Sequence, residues 1–304
     1  MIPQSASLIQ DDCLEKALPA PNASIPRPAI LMCPPDYFEV AYAINPWMNT
    51  HSPAGRCDIN KAKLQWQALR RSIEATGTTV LTMPAVEGLP DLVFTANAAF
   101  VYGNKALIAS YKHPERQPEE EHDARWFESH QFEVHRMEPG TFFEGAGDAL
   151  IWQSTSGDQN AASALVLAGY RTRTDIAAHN RITQLTGLPV LSLELSNPSF
   201  YHIDVCLCPT ETGHLIYWPG AFDDYGRSVI ESHVPEDKRI IVEDDEAHRF
   251  ACNAVSIGST VIFNAGSPKL AAALESKGLA PVMVDLSEFL KAGGSSKCLT
   301  LRIG

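Results

Sequence analysis

The stretch PDLVFTANAAFVYGNKALIAS, residues 90–110, consists of an apolar run, a Gly-Asn turn and a second apolar run. This layout recurs along the chain at a spacing of roughly 45–55 residues, which is typical of blade-like repeats. The later pairs of runs are Ala149–Trp152 with Ala164–Ala168, His202–Pro209 with His214–Trp218, and Cys252–Ile257 with Thr260–Asn264, and Cys298–Ile303 is a last single run. Paired runs favour antiparallel hairpins over a purely parallel sheet. The pattern therefore predicts an α/β fold in which about five ββαβ units form a ring, a five-bladed propeller.

Segments with the apolar periodicity of a helix lie between these runs. In Lys61–Ala75, the apolar side chains Leu64, Leu69 and Ile73 fall on one side of a helix. Three more helices are predicted at Glu119–His130, Asp175–Thr186 and Ser267–Lys277. The acidic triplet 119–121 is interpreted as an exposed helix start, because negative charge is favourable at a helix N-terminus.

Composition limits the class of protein. The 304 residues are 45% hydrophobic, which is enough for a sizeable core. The net charge of −12 argues against nucleic acid and against an anionic membrane surface as partners. The sequence shows neither a membrane span, which needs about 18–20 apolar residues, nor a secretory signal. Seven cysteines in a chain of this size are interpreted as reduced thiols, so we expect a cytoplasmic protein.

The chain divides into two parts of different composition. Residues 1–28 contain five prolines and no sustained apolar periodicity, so a flexible Pro-rich tail is predicted there. From residue 29 to residue 304 no comparable linker interrupts the pattern, which predicts a single domain. The sequence leaves open whether this domain forms a homo-oligomer.

The repeat places polar residues in register. At or near the start of the first run in successive units stand Asn97, Glu144, Asp148, His202, Asp204 and Cys298. In a closed ring these positions converge at one end of the central axis. We therefore expect residues that are far apart in the sequence to share one site.

Cys298 is the candidate nucleophile. It follows a loop that contains Gly293 and Gly294, where the backbone can approach a ligand closely, and it stands beside Lys297. A neighbouring cation favours the thiolate, so a lowered thiol pKa is expected. The competing interpretation is a small buried residue that opens a strand.

His202 and Asp204 form a second candidate pair. Strand alternation predicts that both lie on one face together with Cys206 and Cys208. The pair can supply a general acid/base and a carboxylate to one ligand, although a lone histidine is more often a hydrogen-bonded core residue than a catalyst. A metal site is disfavoured, because adjacent i, i+2 thiols lack the spacing of structural zinc ligands.

Two further motifs carry polar groups. Glu144 and Asp148 lie in a Gly-rich turn that can aim both acids inward or simply be solvated, and the turn lacks the lysine of a phosphate loop. Asn97 interrupts an apolar run and needs hydrogen-bond partners if it is buried. Arg116 and Arg173 follow strand ends, where each can bind a carboxylate or remain on the surface.

Together these residues resemble the guanidino-group-modifying superfamily of arginine deiminases, dimethylarginine dimethylaminohydrolases and amidinotransferases. The likeness is greatest to the arginine dihydrolase domain of cyanobacterial arginine-degrading enzymes. The matching stretches are MCPPDYFEV and INPWMN at 32–49, PDLVFTANAAF at 90–100, HPERQ at 113–117, FEGAGDAL at 143–150, FYHIDVCLCP at 200–209, YWPGAFDDYG at 217–226, FACNAV at 250–255 and FLKAGGSSKCLTLR at 289–302.

The resemblance implies a five-bladed α/β propeller, the pentein fold, and a role for each site residue. It implies that Cys298 is the nucleophile, that His202 is the general acid/base and that Glu144 orients the histidine. The substrate-binding roles that it implies are guanidinium contacts from Asp148 and Asp204, pocket lining by Asn45 and Asn97, binding of an α-carboxylate by Arg116 and Arg173, and backbone contacts from Ala292. It implies no metal and no organic cofactor.

The implied substrate is arginine or another small guanidino compound. The leading hypothesis is an arginine dihydrolase, which releases ornithine, ammonia and carbon dioxide. The alternatives are an arginine deiminase or a dimethylarginine dimethylaminohydrolase, which stop at citrulline, and a non-catalytic arginine-binding module. Asn97 favours the dihydrolase, since deiminase-like relatives carry aspartate there.

Overall fold

The computed structural model describes residues 28–51, 55–154 and 164–303, and its strands form five small sheets of three strands each. The strands within these ranges are β1 Ala29–Met32, β2 Thr79–Thr82, β3 Ala99–Tyr102, β4 Lys105–Ile108, β5 Glu133–His135, β6 Ala149–Gln153, β7 Ala164–Tyr170, β8 Val190–Glu194, β9 Leu207–Pro209, β10 Leu215–Tyr217, β11 Arg239–Ile241, β12 Val255–Ile257, β13 Thr260–Asn264, β14 Ala280–Val284 and β15 Leu301–Ile303. The α-helices are α1 Ile59–Glu74, α2 Glu119–Ser129, α3 Ala178–Thr186, α4 Ile203–Cys206, α5 Asp224–His233, α6 Asp244–Ala247, α7 Pro268–Ser276 and α8 Ser287–Leu290.

Each sheet is one blade with the same connectivity. In the second blade, β3 and β4 form an antiparallel hairpin, and β5 returns through α2 to pair with β4 in parallel. The third, fourth and fifth blades repeat this order with β6–β8, β9–β11 and β12–β14. In the first blade, β15 supplies the antiparallel neighbour of β1, so that Ile303 pairs with Ala29. The two ends of the described chain thus close the ring, and the predicted ββαβ propeller is confirmed.

Local chemistry explains where the elements begin and end. The Asp58 carboxylate accepts hydrogen bonds from the backbone N–H groups of Asn60 and Lys61 and so caps α1. Gly187 ends α3 in a left-handed conformation with φ of 71°. The predicted helices, which precede the last strand of blades one, two, three and five, are confirmed to within three residues at each end.

Two predictions about helix faces are wrong. Leu64 lies on the solvent side of α1, with 64% of its surface exposed, whereas Leu69 and Ile73 are buried as predicted, together with Ala62 and Trp66. Glu119 is not an exposed helix start: it is 1% exposed and pairs with Arg116. Leu64 reaches solvent because the buried stripe of α1 runs through Ala62, Trp66, Leu69 and Ile73, and Glu119 is buried because Arg116 compensates its charge.

The residues that precede each first strand are turns rather than strands. Pro90–Val93 and Thr95–Asn97 are 3₁₀ turns, and the strand begins only at Ala99. The prediction that His202, Asp204, Cys206 and Cys208 alternate on one strand face is also wrong, because α4 is a helical turn. Its Ile203 N–H donates to the Asp148 carboxylate at 3.0 Å instead of to a sheet neighbour, which removes the ladder bond that a strand would need.

The apolar core lies between the blades and the helices that cover them. The largest cluster spans the third, fourth and fifth blades and includes Trp152, Phe200 and Phe222. The first strands of the blades surround a central cavity of about 500 Å³, to which β3, β6, β9, β12 and β15 all contribute lining residues. Within the described ranges, no helix is long and apolar enough to cross a membrane. The predicted Pro-rich tail lies outside the described residues except for Pro28.

Candidate active site

The turns before the first strands of four blades carry six of the predicted site residues. Asn97 ends a 3₁₀ turn before β3, Glu144 and Asp148 flank another before β6, His202 and Asp204 start α4 before β9, and Cys298 lies in the turn before β15. Each turn is buried. Because the five blades surround one axis, these turns meet, as the register of the repeat predicted.

Cys298 is held between two polar side chains. Its thiol donates to Asp204 Oδ2 at 3.4 Å, and its Sγ accepts from Asn253 Nδ2 at 3.1 Å. Burial, and next the Asp204 charge, raise the pKa of this thiol well above its usual value. The lowered pKa that we expected from Lys297 is therefore wrong for the free site, since desolvation outweighs the neighbouring cation.

Glu144 joins the histidine to an arginine. Its Oε2 lies 2.7 Å from His202 Nε2 and accepts from Arg173 Nη1 at 2.8 Å. All three side chains are at most 2% exposed. Burial opposes ionisation of Glu144, but Arg173 and then His202 hold its pKa below the usual range. Glu144 is thus a permanent anion that fixes the imidazole ring and leaves Nδ1 on the other side.

Two buried carboxylates face the same space with unused acceptors. Asp148 Oδ1 accepts from the Ile203 N–H, while Asp204 Oδ2 accepts from the Cys298 thiol. Within the described part of the chain, Asp148 Oδ2, Asp204 Oδ1 and His202 Nδ1 are buried without a hydrogen-bond partner. Burial raises the pKa of Asp148 to about 6 and that of Asp204 to about 7. Asp148 Oδ2 and Asp204 Oδ1 can therefore accept hydrogen bonds from a ligand, and His202 Nδ1 can exchange a proton with it.

Asn97 is oriented by Arg116. Its Oδ1 accepts from Arg116 Nη1 at 2.8 Å, and its Nδ2 donates to the Glu144 carbonyl at 3.3 Å. Arg116 also donates from Nε and Nη2 to Glu119 and stacks over the Tyr111 ring, with 4.4 Å between the guanidinium carbon and the ring centre. Arg116 therefore reaches the central cluster through Asn97. Its predicted carboxylate-binding role stays a prediction, as does that of Arg173.

The loop before Cys298 is tied to two other segments. Asn45 Nδ2 donates to the Ala292 carbonyl at 3.0 Å, and Tyr201 Oη donates to the Gly293 carbonyl. The Arg173 guanidinium lies 4.8 Å from the centre of the Tyr201 ring. The structure thus brings Asn45 and Ala292 together at the edge of the same cluster, and their substrate-binding roles stay predictions.

Asn253 is the site residue that sequence reasoning missed. It is fully buried two residues before β12, in the fifth blade. The repeat assigned a polar residue to every blade but this one, although the run from Cys252 to Ile257 was recognised. The same rule, a polar residue just before the first strand of the unit, selects Asn253 when it is applied to the fifth unit.

The cluster has the chemistry of a nucleophilic site with an acid/base. A buried thiol lies next to a carboxylate, an imidazole is oriented by a second carboxylate, and a third carboxylate completes the ring of acceptors. Among the described residues, no three His, Cys, Asp or Glu side chains are grouped so that they could hold a metal ion.

Comparison with known proteins gives relatives along most of the chain. The bifunctional arginine dihydrolase/ornithine cyclodeaminase ArgZ of Synechocystis is 42% identical over 276 residues, which are 90% of this chain but 37% of ArgZ. The chain therefore spans less than two fifths of that relative. The N(G),N(G)-dimethylarginine dimethylaminohydrolase of Mycobacterium tuberculosis is 39% identical over 90% of this chain and 84% of its own length.

Solved structures of the ArgZ N-terminal domain share the fold. A cysteine-to-serine variant of that domain, bound to substrate, gives a TM-score of 0.85 at 40% identity and covers 91% of this chain and 98% of its own. An asparagine-to-serine variant of the same domain, covalently bound to a reaction intermediate, gives a TM-score of 0.84. A family model described as eukaryotic N,N dimethylarginine dimethylhydrolase matches residues 34–304. This chain belongs to the dimethylarginine dimethylaminohydrolase family.

Proposed function

We propose that this chain is an arginine dihydrolase, in which Cys298 attacks the guanidino carbon of free arginine and ornithine, ammonia and carbon dioxide are released. The proposal includes the predicted cytoplasmic location. It is supported by the likeness to the ArgZ N-terminal domain, which is described as an arginine dihydrolase and is known with its substrate bound. The site residues and their roles are part of the proposal.

The unpartnered acceptors carry this proposal. Asp148 Oδ2 and Asp204 Oδ1 are buried, anionic when ionised, and without a donor in the described chain. A guanidinium group is planar, positively charged and rich in N–H donors, so it satisfies both carboxylates at once. An anionic or apolar ligand would leave these groups buried and unpaired, which is costly. A guanidinium thus fits the site by charge and by hydrogen bonding.

The first half-reaction uses Cys298 and His202. Binding of the cation favours the thiolate, which is otherwise disfavoured by burial. The sulfur attacks the guanidino carbon, and His202 donates the proton on Nδ1 to the departing ammonia, leaving a thiouronium intermediate. Neutral His202 then accepts a proton from water, which attacks the same carbon and releases citrulline. Glu144 keeps the ring in the orientation that both transfers need.

The second half-reaction repeats the attack on bound citrulline. Cys298 attacks the ureido carbon, the amine of ornithine leaves with a proton, and a carbamoyl group stays on the sulfur. Water releases this group as carbamate, which decomposes to ammonia and carbon dioxide. Asn97 Nδ2 carries two hydrogens, and one of them is donated to the Glu144 carbonyl at 3.3 Å. We assign the second hydrogen to the ureido oxygen of citrulline.

The α-carboxylate of the amino acid is assigned to Arg116 and Arg173. Both guanidinium groups are at most 4% exposed and flank the cluster, one beside Asn97 and the other beside Glu144. Their existing partners fix each side chain before substrate arrives, so little side-chain entropy is lost on binding.

Hydrolysis of dimethylarginine to citrulline is the second candidate function. It is favoured by the family model over residues 34–304 and by the relative from Mycobacterium tuberculosis. The same thiol and acid/base would serve, and only the leaving amine would differ.

Product analysis decides between these functions. Purified protein incubated with arginine is expected to release two ammonia per arginine and to form ornithine, and added citrulline is expected to be consumed. Stoichiometric accumulation of citrulline, with no use of added citrulline, would establish a deiminase instead. Turnover of dimethylarginine but not of arginine would establish the second candidate, and binding of arginine without any product would indicate a binding module.

The affinity for arginine is expected to fall as the pH drops below about 7. Burial raises the pKa of Asp204 to about 7 and that of Asp148 to about 6, and protonation of either group removes a partner of the guanidinium. Protons therefore compete with substrate, and the Kd should rise about tenfold per pH unit below the pKa of each group. Calorimetry with the inactive Cys298→Ser variant measures this. A constant Kd from about pH 8 to pH 5 would contradict the assignment of these two carboxylates.

A further inference from the structure

The fifth blade contributes no residue to the reaction as described, although Asn253 lies against the reacting sulfur. We propose that Asn253 is a catalytic residue: its side-chain N–H donates to Cys298 Sγ and stabilises the thiolate that attacks the substrate. This inference deepens the proposed function and rests on it, because it takes Cys298 as the nucleophile.

The Asn253 amide makes four hydrogen bonds around the nucleophile. Nδ2 donates to Cys298 Sγ at 3.1 Å and to the Asp204 carbonyl at 3.0 Å. Oδ1 accepts from the Lys297 and Cys298 backbone N–H groups at 3.0 and 3.2 Å. The side chain is fully buried. Because Oδ1 is committed to two backbone donors, the amide cannot flip, and Nδ2 must point toward the sulfur.

The direction of this bond matters for the charge on sulfur. A thiolate only accepts hydrogen bonds, so the contact with Asn253 Nδ2 strengthens when Cys298 ionises. The contact with Asp204 Oδ2 changes in the opposite sense, since the thiol donates there and an anion would be repelled. The titratable groups that face Cys298 are Asp204 on α4, Tyr201 before it and Lys297 on the same turn. Beside these titratable groups, the uncharged Asn253 side chain donates a hydrogen bond directly to Cys298 Sγ.

If the role of Asn253 were purely structural, only its Oδ1 atom would matter. Asn253 Oδ1 holds the backbone of the turn that carries the nucleophile, and this contact requires only an acceptor. Asn253→Asp keeps the acceptor, removes the donor and adds a negative charge beside the sulfur, whereas Asn253→Ala removes donor and acceptor without a charge. Slow alkylation of both variants is therefore expected if the donor activates the sulfur, and wild-type alkylation of Asn253→Asp is expected if only the acceptor matters.

Asn264 offers a matched control in the same blade. It is 4% exposed, its Nδ2 donates to the Arg249 carbonyl and its Oδ1 accepts from the Leu286 N–H. Asn264→Asp and Asn264→Ala make the same chemical changes at a buried bridging asparagine that touches no proposed site residue.

The test measures alkylation of Cys298 by iodoacetamide from neutral to alkaline pH, without substrate, with the labelled peptide quantified by mass spectrometry. Loss of a hydrogen bond to a charged group is expected to raise the thiol pKa by about 1 unit and to slow alkylation about tenfold at a given pH in both Asn253 variants. Under the proposed function, kcat for arginine falls by a similar factor, and KM changes by less than about threefold. The Asn264 variants should alkylate at the wild-type rate.

Each result bears on the proposal separately from the function. Wild-type alkylation in Asn253→Asp combined with slow alkylation in Asn253→Ala would show that only the acceptor matters and would overturn the proposal. If Asn253→Asp does not fold, as judged by its thermal transition, Asn253→Ala decides: an unchanged alkylation profile overturns the proposal, and a shifted one, with Asn264→Ala unshifted, supports it. If the wild type proves not to turn over arginine, the proposed function fails, while the alkylation profile still reports on Asn253.

Discussion

Replacing Cys298 with serine is expected to reduce arginine turnover by about 10⁴-fold or more while arginine still binds. A serine hydroxyl is nearly isosteric with the thiol, but it ionises far less readily and is a much weaker nucleophile near neutral pH. Asp204 is the neighbouring acceptor, and its pKa of about 7 is too low to deprotonate an alcohol. The measurement is turnover of arginine beside calorimetric binding.

Cys206 provides the matched control for this substitution. It is a buried thiol that donates to the Ile203 carbonyl at 3.4 Å, on the turn that also carries Asp204. Cys206→Ser is expected to retain kcat within a few-fold and to lower the thermal midpoint, because a polar hydroxyl replaces a thiol in an apolar core. Turnover by Cys298→Ser near the wild-type rate would exclude covalent catalysis by this residue.

The sequence predicted which residues share the site more accurately than it predicted the local backbone conformation of those residues. Repeated pairs of apolar runs led to the ring of blades, and the ring led to one site, because each repeat places its polar residue at the same point before a strand. This argument depends on the order of the repeats and on their approximate spacing. A longer connection within one repeat, such as the one before β7, therefore does not change its conclusion. It does not depend on whether the residues before the strand are extended or helical.

Local backbone geometry could not be predicted in the same way. The segment from His202 to Cys206 alternates like a strand, yet a side-chain acceptor, Asp148, takes the Ile203 N–H and the chain forms a helical turn. The acceptor comes from another blade, so it is invisible to any local pattern. Glu119 is a different case, because its partner Arg116 is only three residues away along the chain. What the local pattern does not show is that contacts to Asn97 and Tyr111 hold Arg116 in the interior.

The ionisation of the nucleophile could not be predicted from its neighbours in sequence either. Lys297 stands next to Cys298 and suggested a lowered thiol pKa. In the fold, burial dominates, and Asp204 arrives from the fourth blade to raise the thiol pKa further. Electrostatic balance in a site assembled from five blades is a property of the tertiary structure, and only the residue types are visible beforehand.

Under the proposed function, Asn97→Asp is expected to shift the product of the reaction from ornithine toward citrulline. Arg116 Nη1 already donates to Oδ1 of residue 97, so a carboxylate gains a charged partner there and the fold is preserved. The donor at Nδ2 is lost, and a carboxylate oxygen then faces the ureido oxygen of citrulline, where two acceptors meet without a proton. Leaving one buried polar group unpaired should slow the second attack about 10- to 100-fold, while the cationic guanidinium of arginine still binds.

The ratio of ornithine to citrulline measures this change, together with ammonia released per arginine. The variant should release one ammonia per arginine at early times and accumulate citrulline, whereas the wild type should release two. Asn264→Asp, which places the same change far from the cluster, should keep the wild-type ratio. If Asn97→Asp still forms ornithine with two ammonia at the wild-type ratio, then the extent of reaction is set elsewhere. The donor to the ureido oxygen would then have to come from another buried group at the centre of the ring, and His202 Nδ1 is the candidate that the geometry leaves.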